Sequence, residues 1–171
     1  MGRVKKIKED FFYVPKIPFS IIGINSSLAN FQIAYRMQQA MNYEFEKTED
    51  FICFNNKMNE DKGFDCLLQI DNLEGIAYML LNNLSNDNTS YLIGNLRKMD
   101  YILLVIGRDF ASITPNLLKM IKGIKNIFYA QIFDTSSDKK SSSLKPTSIN
   151  SLSISIEYFR DNNSMMSNFY I

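Results

Sequence analysis

Residues 90–107 read SYLIGNLRKMDYILLVIG, and the fold turns on its last third. Residues 101–106, YILLVI, run apolar without a break. A half-buried strand alternates apolar and polar side chains, and this one does not. It is therefore expected to be a strand sealed on both faces, central in its sheet. The linker before it, 95–100, is polar and places Arg97 and Lys98 just ahead of Asp100. A carboxylate at that point suits a turn, where it accepts backbone N–H bonds. A pairing of Arg97 or Lys98 with it would be worth at most about 1 kcal/mol if exposed. Gly107 ends the run.

Working outward, TPNLLKMIKG (114–123) reads as a helix. Thr114 is the expected N-cap, Pro115 the first helical residue, and Gly123 the left-handed stop. Leu117, Leu118 and Ile121 make its buried stripe, and 124–133 follow as a strand. Upstream, 19–24 (FSIIGI) is a short strand, with Ser27 as cap for a helix over 28–42. Leu28, Phe31, Ala34, Tyr35 and Met41 recur there at helical steps. Runs at 50–54, 64–70 and 76–81 read as strands, and 55–63 and 71–75 as turns. Residues 82–90 form a polar loop, and 91–93 are a candidate short strand. The glycines, Gly23 included, are assigned to element ends, and none sits in a dinucleotide or Walker pattern.

The order strand, helix, strands, helix, strand predicts an α+β domain over 19–134. It is an antiparallel sheet with two helices on one face, a ferredoxin-like sandwich with an inserted hairpin. Residues 1–18 read as a basic N-terminal tail rather than a leader, with Arg3, Lys5, Lys6 and Lys8. Lys6 stands where a myristoylation pattern needs Ser or Thr. Residues 135–171 read as a flexible C-terminal tail, rich at first in Ser and Lys. Within it LSISIEYF (152–159) alternates like a strand that could add to a sheet edge.

Composition narrows the chemistry. There are 171 residues, a net charge of +1 and no histidine. A near-neutral chain has no global field to recruit nucleic acid or an anionic membrane. Without histidine, Ser-His-Asp and Cys-His nucleophile systems and most zinc sites are gone. No apolar stretch approaches the ~20 residues that cross a bilayer. Cys53 and Cys66, thirteen residues apart, read as buried reduced thiols, with a disulfide between neighbouring strands as the alternative.

No catalytic, cofactor or metal constellation is expected. Asn56, Asn59, Glu60, Asp61 and Asp65 put oxygens in one loop without EF-hand spacing. Glu49 and Asp50 are neighbours, so in a strand they point to opposite faces. The 13 Phe and 9 Tyr lack the interleaved cations and signatures of an RNA-stacking sheet, so they read as core.

The segment Ile93-Gly94-Asn95-Leu96-Arg97-Lys98-Met99-Asp100-Tyr101 resembles the naming motif of the IPExxxVDY family, known from Bacteroidota. Ile93, Asp100 and Tyr101 match it. Gly94 stands for the Pro, Asn95 for the Glu and Met99 for the Val. Residues 21–50 are similar to that family's Gly-Ile strand end and aromatic-rich first helix, and the likeness spans about 20–134. It implies a cytoplasmic bacterial protein and supplies no activity. The missing Glu leaves no carboxylate there to act as a catalyst. The candidate partner-contact residues are therefore Ile93, Gly94, Asn95, Arg97, Lys98, Asp100 and Tyr101.

These readings converge on a non-enzymatic binding or adaptor module acting on a protein partner or a second copy. The alternative is a small-molecule sensor of the ACT-like kind, by fold analogy. RNA binding through the basic tail is a third reading with less behind it.

Overall fold

The computed structural model describes residues 17–55, 60–135, 144–167 and 169. The strands are β1 (Phe19–Ser26), β2 (Glu46–Lys47), β3 (Phe51–Asn55), β4 (Glu60–Phe64), β5 (Cys66–Asp71), β6 (Ile76–Asn82), β7 (Tyr101–Ile106) and β8 (Ile127–Phe133). The helices are α1 (Asn30–Met41), α2 (Phe110–Lys122) and α3 (Pro146–Asn162), with a 3-10 turn at Gly94–Leu96. Six strands form one antiparallel sheet in the order β2-β5-β6-β7-β1-β8, and β3 and β4 form a separate hairpin. The run β8-β1-β7-β6, with α1 and α2 as crossovers, is the expected ferredoxin-like arrangement. The chain from β2 to β5 is inserted between α1 and β6.

The unbroken apolar run has its explanation in two cores. In β7, Leu103 and Val105 face a layer with Ile33, Met37, Leu117 and Ile121 of α1 and α2. Ile102, Leu104 and Ile106 face the other layer, with Phe51 and Phe64 of the hairpin and Leu152, Ile156 and Phe159 of α3. Neither face of β7 meets water, so neither needs a polar residue.

That second layer corrects the reading of the C-terminus as a flexible tail with a strand at 152–159. Those residues lie inside α3, which packs along β3. Ile149, Leu152, Ile156 and Phe159 are spaced for one helical face and are all buried. The two-residue alternation was a coincidence of serines, and two of these, Ser153 and Ser155, are buried as well. Pro146 opens the helix, where a missing N–H costs nothing. Ring contacts fix it to β3: Phe51–Phe159 centroids are 5.7 Å apart and Phe54–Tyr158 5.3 Å.

Other differences are local. Helix α1 is capped at Ala29, not Ser27. The neighbouring Ser26 Oγ accepts the Leu28 N–H at 3.1 Å, and Gln32 Oε1 accepts the Ala29 N–H at 2.9 Å. Gly23 lies within β1, not at its end. A Cβ there would come within 2.9 Å of both Phe133 and Met99 side chains, so a side chain is excluded by close packing. Part of the predicted turn 55–63 is β4, zipped to β3 from Phe51 opposite Phe64 onward. Residues 91–93 contribute only a bridge, Tyr91 to Leu84. Helix α2 begins at Phe110, so Pro115 is interior. Thr114 does not cap but turns its hydroxyl back to the Phe110 carbonyl at 2.5 Å. Gly123 keeps right-handed helical angles. Cys53 and Cys66 are both free thiols, so the disulfide alternative falls. The basic tail 1–16, Asn56, Asn59 and most of the Ser/Lys stretch lie outside the described residues.

Candidate functional site

The segment 93–101 is wrapped around one buried side chain, Asn83. This residue is wholly buried just after β6. Its Nδ2 donates to the carbonyls of Leu96 (2.8 Å) and Met99 (2.9 Å). Its Oδ1 accepts the Ile93 N–H at 3.1 Å. Its own N–H donates to Asp100 C=O, and its C=O accepts the Leu92 N–H. Five bonds thus gather residues 92–100 around Asn83.

Asp100 accepts a backbone N–H, as expected of it, but from β1 and not from its own turn. Its Oδ2 accepts the Ser26 N–H and the Asn25 Nδ2, each at 2.9 Å, tying the end of β1 to the start of β7. The Tyr101 hydroxyl donates to the Leu28 carbonyl at 2.7 Å. Ile93 and Leu96 are buried. Arg97 lies over the Tyr91 ring, 5.8 Å from its centre. Gly94, Asn95 and Lys98 are exposed. Ile93, Asp100 and Tyr101 are thus buried or bonded, Met99 is half-buried against the core, and Gly94 and Asn95 are exposed. The chain continues into β7, whose two edges are taken by β6 and β1, so no strand can add there.

The acidic residues are held as ties rather than gathered as a centre. Lys62 Nζ donates to Asp87 Oδ2 at 2.6 Å, and Ser85 and Thr89 hydroxyls donate to Asp87 Oδ1. Lys62 and these donors hold the Asp87 carboxyl well below the usual carboxylate range. Asn86 reaches Asp50 at 2.7 Å, and Asn30 reaches Asp65 at 2.7 Å beside Lys47. Burial pushes the Cys66 thiol up to about 12 and raises Cys53 as well, so neither is a ready nucleophile. Among the described residues there is no metal-holding group of acids and cysteines, and no helix is long and apolar enough to cross a membrane.

At the β8 end of the sheet no further described strand pairs, although Ala130 in the middle of β8 is buried. One sheet margin is β2, two charged residues long, the kind of short charged edge that resists pairing. The other is β8, IFYAQIF, seven residues without a charge or proline. Phe128 is 69% exposed and Tyr129 48%. A β-bulge lies here, where Asn25 pairs Tyr129 and Ser26 pairs Ile127, leaving Phe128 as the extra residue. Beside β8, under the first half of α2, is a cleft of about 340 Å³, lined by Phe110, Ala111, Thr114, Pro115, Ile132 and Phe133 among others.

Sequence reasoning centred on 93–101 and passed over both Asn83 and the β8 edge. Asn83 sits in a run of asparagines, and nothing local separates it from its exposed neighbours. The β8 edge had a signal in its uncharged composition, which read equally well as an interior strand. The chain matches no family model and no curated protein.

Proposed function

We propose that this chain is a protein-binding module, not an enzyme, and that it binds through the outer edge of β8. The single observation behind this reading is an uncharged, full-length edge strand that no described strand pairs, carrying the exposed Phe128. Such an edge offers backbone donors and acceptors, and proteins normally blunt it with charge, proline, a β-bulge or a cover; of these β8 has the bulge at Phe128, near its start. A partner adding a strand would satisfy that row, with Phe128 supplying apolar contact. The fixed motif segment and the acids used up in hydrogen bonds and ion pairs fit a scaffold that presents a surface.

Affinity capture with the tagged full-length chain from cells that express it tests this, with Phe128→Glu run in parallel. The expectation is that wild type retains protein, its own untagged copy or another chain, and that the variant loses it. The same retained set with both baits would sink the assignment to β8.

A further inference from the structure

We propose that the partner of β8 presents an acidic segment, which meets Lys98, Lys122 and Lys125 while its apolar side chains meet Phe128 and Tyr129. This rests on reading β8 as the docking edge and goes beyond it by naming the partner's chemistry.

The end of β1 brings these residues together. Asn25 Nδ2 donates to Lys98 C=O at 3.0 Å, and Ser26 Oγ donates to Asn126 C=O at 2.7 Å. The loop that carries Lys98 and the turn that carries Lys125 are thus tied to neighbouring residues of one strand. Lys122 closes α2, three residues before Lys125. Asn25 lies opposite Tyr129 and Ser26 opposite Ile127, so the start of β8 lies against the same strand end. The bulge leaves Phe128 without an opposite residue on β1, and its ring stands largely in water. The patch stops at Ala130, which is buried.

Charge at this corner is one-sided. Residues 110–133 hold Lys119, Lys122 and Lys125 and no Asp or Glu. Lys98, Lys122 and Lys125 are exposed, and none of them forms an ion pair among the described residues. Lysines on the hairpin side are matched instead, Lys47 with Asp65 and Lys62 with Asp87. Asp100, an acid at the same corner, is held by the Ser26 N–H and the Asn25 Nδ2 and not by a lysine.

Unmatched cations beside exposed rings select a partner by complementary charge, with the rings supplying the apolar contact. The cations cluster at one end of an uncharged strand and do not line a track. That suits a short acidic segment running into apolar residues, where a nucleic-acid backbone would need a groove of positive charge along its length.

Capture with the tagged full-length chain from cells that express it tests the proposal, followed by a carbodiimide, which joins a lysine amine to a carboxylate it touches. Mass spectrometry of the retained protein is expected to find its Asp or Glu residues linked to Lys98, Lys122 or Lys125. The double variant Lys122→Gln/Lys125→Gln alters side chains in water and should keep the fold by circular dichroism. It is expected to lower retention roughly fivefold, as the loss of two exposed ion pairs would. Lys98→Gln, on a separate loop, is expected to act in the same direction. Retention indifferent to these variants overturns the proposal, and so do carboxylate links confined to other lysines. Retention that nuclease removes also overturns it, as does lysine-dependent binding to vesicles of phosphatidylserine and phosphatidylcholine with no protein retained. If Phe128→Glu loses the captured protein and the lysine variants keep it, the acidic partner falls and the docking edge stands. If every variant keeps it, both fall.

Discussion

An asparagine side chain brings two donors and one acceptor into a space where water cannot substitute for lost partners. At Asn83 all three functions are used, on Leu96, Met99 and Ile93. Asn83→Ala would remove three bonds, leaving the Met99 carbonyl and the Ile93 N–H without the side chain's groups and the Leu96 carbonyl with the Met99 N–H alone. At about 1 kcal/mol for each lost bond, the variant should be less stable by roughly 3 kcal/mol. Urea denaturation measures this, and a loss below about 1 kcal/mol would mean that water reaches the site. Asp100 was legible as a carboxylate that accepts backbone N–H bonds from its place before a strand, but its partners, Ser26 and Asn25, come from across the fold and not from its own turn. Asn83 was not legible, since it sits among other asparagines in a polar run and only the fold shows which of them is enclosed by residues 92–100. Gly23 was misread for the same reason: its constraint is the Phe133 ring from a strand over a hundred residues later.

Elements with one dominant periodicity were legible, and those with two were not. β1, β5, β6, β7 and β8 announce themselves as short apolar runs, and their order alone gives the ferredoxin-like crossing pattern. α3 failed because serine spacing imitated a strand while the helical stripe Ile149, Leu152, Ile156, Phe159 ran through the same residues. In α2 the rule for proline at a helix start misplaced the boundary. The chain instead starts the helix at Phe110 and takes Pro115 as its sixth residue. There the ring cannot donate to the Ala111 carbonyl. An interior proline costs about 3 kcal/mol relative to alanine, offset by about 1 kcal/mol from the stiffer unfolded chain. Pro115→Ala should therefore raise stability by roughly 1–2 kcal/mol, read as a higher thermal midpoint. A lowered midpoint would show that the ring's packing in the cleft outweighs the missing bond.

At the scale of the molecule, the sheet is a partition between two cores, and the second is closed by the C-terminal segment. Leu144, Ile149, Leu152, Ile156, Phe159, Met166 and Phe169 all contribute to it. Seven buried apolar side chains at about 1.5–3 kcal/mol each amount to roughly 10–20 kcal/mol. That matches or exceeds the ~5–15 kcal/mol by which a domain is stable at all. A chain ending at 143 is expected to lose cooperative unfolding and to aggregate. A soluble product with a sharp transition at the original temperature would show instead that the hairpin alone covers the sheet. The two-helix layer could be inferred from sequence because each helix follows its own strand. The third helix could not, because it returns to β3 from a hundred residues away.

This placement of α3 has a consequence during synthesis. Chains fold from the N-terminus as they emerge. By the time β8 completes the sheet, one face has its helices and the other still waits for α3, which follows β8 in the chain. For that interval Phe19, Ile21, Leu104 and Ile106 line a surface with only the β3–β4 hairpin and the 93–96 turn to shelter it. Until α3 arrives, that apolar face is the part of the nascent chain open to misassociation, and its protection waits on residues 146–162.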